Sequence, residues 1–221
     1  MIVSDSNKFV FIHNPKAAGT SIRKALGAHR GAGVDLWGYA LYPSMGRVLD
    51  IAHMPLDILI QAHPELFMKI QGYFAFGFVR NPIQRYFSSV HQFILNFTTD
   101  INREVIFRNK ALFESYVNEF ADFALNQERI DKDYRFAHFT QQHRYFFMYD
   151  VPCAKFFKVE QMGDLPPELT SLGITSVGQE NASGSSLKVG GLFDENALTP
   201  EVRVKVREFY AKDFELLGYP G

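Results

Sequence analysis

Two stretches of this chain bring together residue types able to hold phosphate and move charge. The first runs Phe9-Val-Phe-Ile-His-Asn-Pro-Lys-Ala-Ala-Gly-Thr-Ser21, an apolar run followed by a turn with Lys16 among small residues and then two adjacent hydroxyls. Main-chain N–H groups at a helix start favour an anion, small side chains let the backbone approach it, and Lys16 adds a point charge. Lys16, Ala17, Ala18, Gly19, Thr20 and Ser21 thus form a candidate phosphate cradle. The spacing is not that of a Walker A loop, which ends in Gly-Lys-Ser/Thr, because Lys16 precedes Gly19 by three residues. The other reading is an ordinary strand-to-helix turn with an exposed lysine.

The second stretch is Phe76-Gly-Phe-Val-Arg-Asn-Pro-Ile-Gln-Arg-Tyr-Phe-Ser88. Arg80 stands where the apolar run ends, the carboxyl edge at which open α/β sheets bind ligands, and Ser88 follows about two helical turns later. An arginine with a serine hydroxyl can hold a second, separate phosphate; the competing reading makes Arg80 a structural salt-bridge partner. By three- and four-residue spacing, Arg85, Ser88, Ser89 and Gln92 share the helix face opposite an apolar stripe of Ile83, Phe87, Val90, Ile94 and Phe97.

These groups need elements to position them. Phe9 to His13 reads as a buried strand closed by Asn14-Pro15, with a helix from Thr20 to about Ala28. His29 to Gly46, rich in glycine and small residues, reads as a long excursion. Val48 to Ala52 suggests a short strand and Pro55 to Gln61 a helix opened by proline. Tyr73 to Val79 is an aromatic and β-branched strand, and Asn81 as N-cap with Pro82 begins the next helix. Ala111 to Leu125 predicts an amphipathic helix, Ala154 to Val159 a strand and Gln179 to Gly191 a loop. Thr199-Pro200-Glu201 caps a last helix carrying Val202, Val206, Phe209, Tyr210, Phe214 and Leu217 and stopped by Gly218. Strands alternating with helices predict an α/β domain with a largely parallel sheet, and the absence of repeats or linkers makes residues 1–221 one domain.

Together the two stretches resemble the sulfotransferases that use 3′-phosphoadenosine 5′-phosphosulfate (PAPS), in particular the carbohydrate sulfotransferase group. His13-Asn14-Pro15-Lys16-Ala17-Ala18-Gly19-Thr20-Ser21 is similar to that group's first motif. Phe76 to Ser88 is similar to its second, with Asn81 where aspartate is common, an exchange between two capping residues. His53-Met54-Pro55, Lys158-Val159-Glu160, Asn181-Ala182-Ser183 and the ending Phe209 to Tyr219 extend the likeness over nearly the whole chain. The resemblance implies a three-layer α/β fold of the P-loop-like nucleotide-binding kind, with a mostly parallel central sheet flanked by helices. It implies that Lys16, the backbone of Ala17 to Thr20 and the Thr20 and Ser21 hydroxyls hold the 5′-phosphosulfate, and that Arg80 and Ser88 hold the 3′-phosphate. Sulfuryl transfer also requires charge neutralisation on the leaving phosphate and removal of the acceptor's proton. Lys16 suits the first role. His53 suits the second, since a histidine ionises near the operating pH, its alternative being a cap for the Pro55 helix. His13 is expected to be structural; His138 and His143, with Gln141 and Gln142, to line the acceptor site; and His29, His63 and His91 to lie at the surface. Tyr145-Phe146-Phe147 reads as core before it reads as a sugar platform.

Composition bounds the rest. A chain 47% hydrophobic and 21% charged is not a disordered one, and a net charge of −1 recruits neither nucleic acid nor an anionic membrane. The single cysteine, Cys153, excludes an internal disulfide and a cysteine-built zinc site. No metal-ligand spacing is present, and neither a secretory signal nor an integral membrane segment is visible, so a cytoplasmic protein without a metal cofactor is expected. The acceptor is expected to be a hydroxyl on a carbohydrate or glycolipid, chosen by the loops at 29–46 and 98–110, with oligomeric state left unassigned. The rival readings are a P-loop-type kinase using ATP and a catalytically inactive nucleotide-binding domain.

Overall fold

The structure is a computed structural model that describes residues 1–163, 165–174 and 195–220. Its strands are β1 (Ile2–Ser4), β2 (Phe9–Ile12), β3 (Gly33–Asp35), β4 (Tyr39–Tyr42), β5 (Arg47–Asp50), β6 (Phe74–Val79), β7 (Phe147–Met148), β8 (Val151–Pro152) and β9 (Lys155–Lys158). Its helices are α1 (Gly19–Ala25), α2 (Leu56–Ala62), α3 (Pro64–Gly72), α4 (Pro82–Phe97), α5 (Asp100–Arg108), α6 (Lys110–Ala124), α7 (Gln127–Lys132), α8 (Pro167–Thr170), α9 (Pro200–Phe209) and α10 (Ala211–Leu216). The loop expected at 179–191 and the motif Asn181-Ala182-Ser183 lie outside the described residues. The described chain forms two compact units, one from residues 1–80 with 140 onward to 174, the other from 81–139 with 195–220.

The first unit is built on a five-stranded sheet of order β3-β1-β2-β6-β9. Its chemically important half is parallel: β2 pairs with β6, Ile12 opposite Gly77, and β6 with β9, Val79 opposite Lys158, while β1 runs antiparallel to β2 and β3. Strands β2 and β6 are apolar at every position because both faces are covered, as the continuous runs predict. One face presents Phe9, Phe11, Phe76 and Phe78 to Ile22 and Leu26 behind α1 and to Leu169 of α8. The four phenylalanines are at most 1% exposed, each burial stabilising by roughly 2–3 kcal/mol. On the other face a Cβ at Gly77 would sit 2.7 Å from the Phe146 ring and 2.6 Å from the Ile12 carbonyl oxygen, so glycine is what lets Phe146 cover the strand pair. Of the aromatic run, Tyr145 and Phe146 are fully buried core and Phe147 is half-buried.

The second unit packs α4, α6 and the C-terminal helices around one apolar cluster. Ile83, Phe87, Val90 and Ile94 form the buried stripe of α4, facing Phe113, Val117 and Ala121 of α6 and Val206, Tyr210 and Phe214. Phe97, the last of the stripe, is 38% exposed. Buried hydroxyls find carbonyl partners: Tyr86 donates to Val117 at 2.8 Å and Tyr210 to Phe139 at 3.0 Å.

Several sequence expectations are corrected. The excursion at 29–46 contains β3 and β4, formed by pairing with β1 and β5, and non-local pairing leaves little trace in local composition. The loop expected at 98–110 is α5, capped by the Thr99 hydroxyl accepting from the Asn102 amide. Helix α3 was not anticipated, and the last helix is two, broken at Tyr210. His91 is buried, not at the surface, stacked at 4.5 Å on Phe107.

Candidate functional site

The phosphate cradle occupies the turn between β2 and α1. Lys16 and Ala18 both hold left-handed backbone conformations, φ 63° and 60°, which cost L-residues roughly 1–2 kcal/mol each and persist only where the surroundings impose them. Such alternation turns successive N–H groups toward a common concavity, the geometry of anion-binding nests. Gly19 makes room for His13: a Cβ would lie 1.9 Å from Nε2 of that ring, which rests on the start of α1. Thr20 is exposed and Ser21 half-buried.

Lys16 carries the electrostatic signature of the site. Burial pulls its amine from 10.5 down to about 8, and the Arg80 guanidinium adds like-charge repulsion in the same direction. Two cations at the carboxyl ends of neighbouring parallel strands therefore act on each other through a partly desolvated space. Such an arrangement is relieved by an anion.

The two strand ends are joined by side chains. The Asn14 amide donates to the Phe78 carbonyl at 2.8 Å and to Oε1 of Gln142 at 2.9 Å. Gln142 also accepts from the Arg80 amide at 2.9 Å and donates to the Arg80 carbonyl at 2.7 Å. It is fully buried, which corrects its expected place at the acceptor site. His13, expected to be structural, is 5% exposed and stacks between Phe11 at 5.7 Å and Trp37 at 5.8 Å.

His53 is held on three sides. The Asp50 carboxylate accepts from the Ala52 amide at 3.2 Å and from the His53 amide, the Tyr145 hydroxyl donates to the His53 carbonyl at 3.1 Å, and Nδ1 lies 2.8 Å from the His13 carbonyl oxygen. Its ring centroid is 4.2 Å from that of His13. Burial lowers its pKa to about 3 against the raising effect of the His13 carbonyl, with the Lys16 and Arg23 charges adding to the lowering. The ring is neutral at neutral pH. Arg23 itself is ion-paired with Asp35 and lies 4.3 Å over the Trp37 ring.

The first unit thus brings together Lys16, Ala17, Ala18, Gly19, Thr20, Ser21, His53 and Arg80. Ser88 is a buried residue of α4, in the other unit. On that helix Arg85 and Ser89 both donate to the His138 carbonyl, at 2.9 and 2.8 Å, so these two face-sharing residues are committed to main chain. Asp50 is the site residue that sequence reasoning missed, while Asn14, Gln142 and Tyr145 were given other roles: a strand-closing turn, the acceptor lining and the core. The strand-ending position of Asn14 was a signal, but nothing local links it to Gln142, which is 128 residues away.

The residues present fit a bis-anionic nucleotide: a cradle that excludes a Cβ at Gly19, and two mutually repelling cations beside it. A family model described as the sulfotransferase family matches residues 1–168 of the chain, which takes in the cradle, His53, Arg80 and the Gln142 turn. Neither the curated proteins nor the solved structures yield a match.

Proposed function

Because the chain belongs to the sulfotransferase family, we propose that it transfers the sulfuryl group of PAPS to a hydroxyl of a carbohydrate or glycolipid, as a single-domain cytoplasmic enzyme without a metal cofactor. The observation that carries this reading is the cradle between β2 and α1, left-handed at Lys16 and Ala18 and closed to a Cβ at Gly19, with Nδ1 of His53 held on the neighbouring His13 carbonyl. Among the described residues no helix is long and apolar enough to cross a membrane.

The nucleotide, when bound, supplies an activated sulfuryl group on a phosphate leaving group. Lys16 and the N–H groups of Ala17 to Thr20, with the Thr20 and Ser21 hydroxyls, hold the 5′-phosphosulfate, and Arg80 holds the 3′-phosphate. Lys16 neutralises the charge that grows on the leaving phosphate oxygen as the sulfur–oxygen bond breaks. His53 keeps its Nδ1 proton on the His13 carbonyl, so Nε2 carries the lone pair. Nε2 accepts the acceptor's hydroxyl proton as the new oxygen–sulfur bond forms, and the products are the sulfate ester and 3′-phosphoadenosine 5′-phosphate. A base held at about 3 is weak in the empty protein. Burial is the main cause of that low value; anion binding offsets the smaller Lys16 and Arg23 contributions and so moves it upward.

Thermal shift tests the reading. Stabilisation by 3′-phosphoadenosine 5′-phosphate, roughly 2.7 kcal/mol at about 100 times its Kd, with none from ATP and magnesium, is the expected outcome. The reverse pattern favours the kinase reading, no response to either contradicts a nucleotide site, and stabilisation without transfer to any hydroxyl favours the inactive nucleotide-binding domain.

A further inference from the structure

We propose that Gln142 is a positioning residue that locks the two phosphate-binding arms of the site into one rigid unit, so that ordering one arm orders the other. The inference rests on the nucleotide reading above and concerns how its two ends are held together.

The parallel pairing of β2 with β6 ends at Ile12 and Gly77. Beyond it the main chains diverge, one toward Lys16 and the other toward Arg80, and no backbone ladder can keep them in register. Side-chain amides continue the ladder instead. Asn14 reaches across to the Phe78 carbonyl, and Gln142 pairs with both the N–H and the C=O of Arg80, as a neighbouring strand would, while accepting from Asn14. Only a side chain with both a donor and an acceptor can make this set of bonds, which is why an amide serves here. Gln142 is 0% exposed, so its bonds are not exchanged for water and their loss leaves buried main-chain groups unsatisfied.

The same short turn holds the proposed base. Gln142–Tyr145 is a single helical turn, and Tyr145 at its end donates to the His53 carbonyl at 3.1 Å. Arg144 anchors that turn to Asp57 of α2 at 2.5 Å, and Phe146 behind it packs on Gly77. One turn from a distant part of the chain therefore fixes the Lys16 loop through Asn14, Arg80 through its backbone, and His53 through Tyr145. A stability role alone would weaken every ligand alike; a role in joining the arms acts on ligands that use both.

The test compares adenosine 5′-phosphate, which reaches one arm, with 3′-phosphoadenosine 5′-phosphate, which reaches both. Calorimetric affinities are measured for wild type, Gln142→Met, Arg80→Met and the double variant, with melting curves for each. The expected result is that Gln142→Met reduces the preference for the bisphosphate about tenfold or more, with adenosine 5′-phosphate affinity within about threefold, and adds nothing further in the Arg80→Met background. A wild-type preference retained in Gln142→Met, or an equal further loss in the double variant, overturns the proposal. A wild type with no preference for the bisphosphate overturns the nucleotide reading itself. Should Gln142→Met not fold, amide exchange in the wild type decides: saturating adenosine 5′-phosphate slows exchange at the Arg80 amide several-fold if the arms are joined, and unchanged exchange there overturns the proposal.

Discussion

Nδ1 of His53 lies 2.8 Å from the main-chain oxygen of His13, and a carbonyl oxygen can only accept. The contact fixes one tautomer, with hydrogen on Nδ1 and the lone pair on Nε2. Burial then holds the ring neutral, its pKa about 3. Replacing His53 by glutamine removes the base without touching Lys16 or Arg80. Transfer is expected to fall by about 10²–10⁴-fold, while the affinity for 3′-phosphoadenosine 5′-phosphate stays within about threefold. Steady-state rates and calorimetry on one protein preparation check both.

The ring nitrogens of His53 report on the anion as well. The Lys16 and Arg23 charges depress its pKa in the empty protein, and a bound nucleotide offsets them. Nitrogen NMR of the imidazole is expected to show protonation moving upward in pH when 3′-phosphoadenosine 5′-phosphate is added. An unmoved titration means that the anion does not sit near the histidine.

Lys16 gives a second pH dependence of opposite sense. With its amine at about 8 in the empty protein, it is protonated at neutral pH and loses its charge as pH rises through 8. Nucleotide affinity is expected to weaken above pH 8, where the phosphates are already fully ionised, because binding must then take up a proton. Lys16→Arg keeps its charge over this range, so it removes the pH dependence whatever it does to affinity.

Much of this was legible in the sequence. The apolar runs before Asn14 and Asn81, and the lysine and arginine that follow them, were enough to place two cations at neighbouring strand ends, because strand, cap and turn preferences are local. The structure adds that the strands are parallel neighbours, joined beyond their ladder by the Asn14 and Gln142 amides. The bonds that Gln142 and Tyr145 make could not be read, since they join Arg80, Asn14 and His53, which lie far away in sequence. β3 escaped for the same reason: its pairing with β1 is non-local, and Gly33 owes its place to the Val3 carbonyl, 1.9 Å from where a Cβ would stand. His91 looked like a surface histidine because nothing in α4 alone announces that Phe107 of α5 covers it.

Gly19→Ala tests the packing of the cradle. The new Cβ would meet Nε2 of His13 at 1.9 Å, pushing the ring toward Trp37 and His53. A loss of about 1–3 kcal/mol in stability is expected, together with a marked fall in transfer rate. Adding His13→Ser to the variant makes room for the methyl group and is expected to restore part of the stability, as melting temperatures show.

Asp50 is an electrostatic burden beneath the His53 turn. Burial raises its carboxyl from 3.8 to about 6, so between these pH values the folded protein holds a proton that the unfolded chain releases. Stability from this group is therefore fully present below pH 4 and is lost as pH rises through 6. Asp50→Asn keeps an oxygen for the Ala52 amide and removes the charge. The variant is expected to be more stable than wild type by about 1–3 kcal/mol at pH 7.5, with the difference closing at pH 4.

The most direct measurement is a calorimetric titration of 3′-phosphoadenosine 5′-phosphate into wild type, Lys16→Met, Arg80→Met and His53→Gln at pH 7. Binding to wild type, at least about tenfold weaker binding to each cation variant and unchanged binding to the histidine variant are the results predicted. Absence of binding to wild type, or equal binding to all four proteins, would contradict a site built on Lys16 and Arg80.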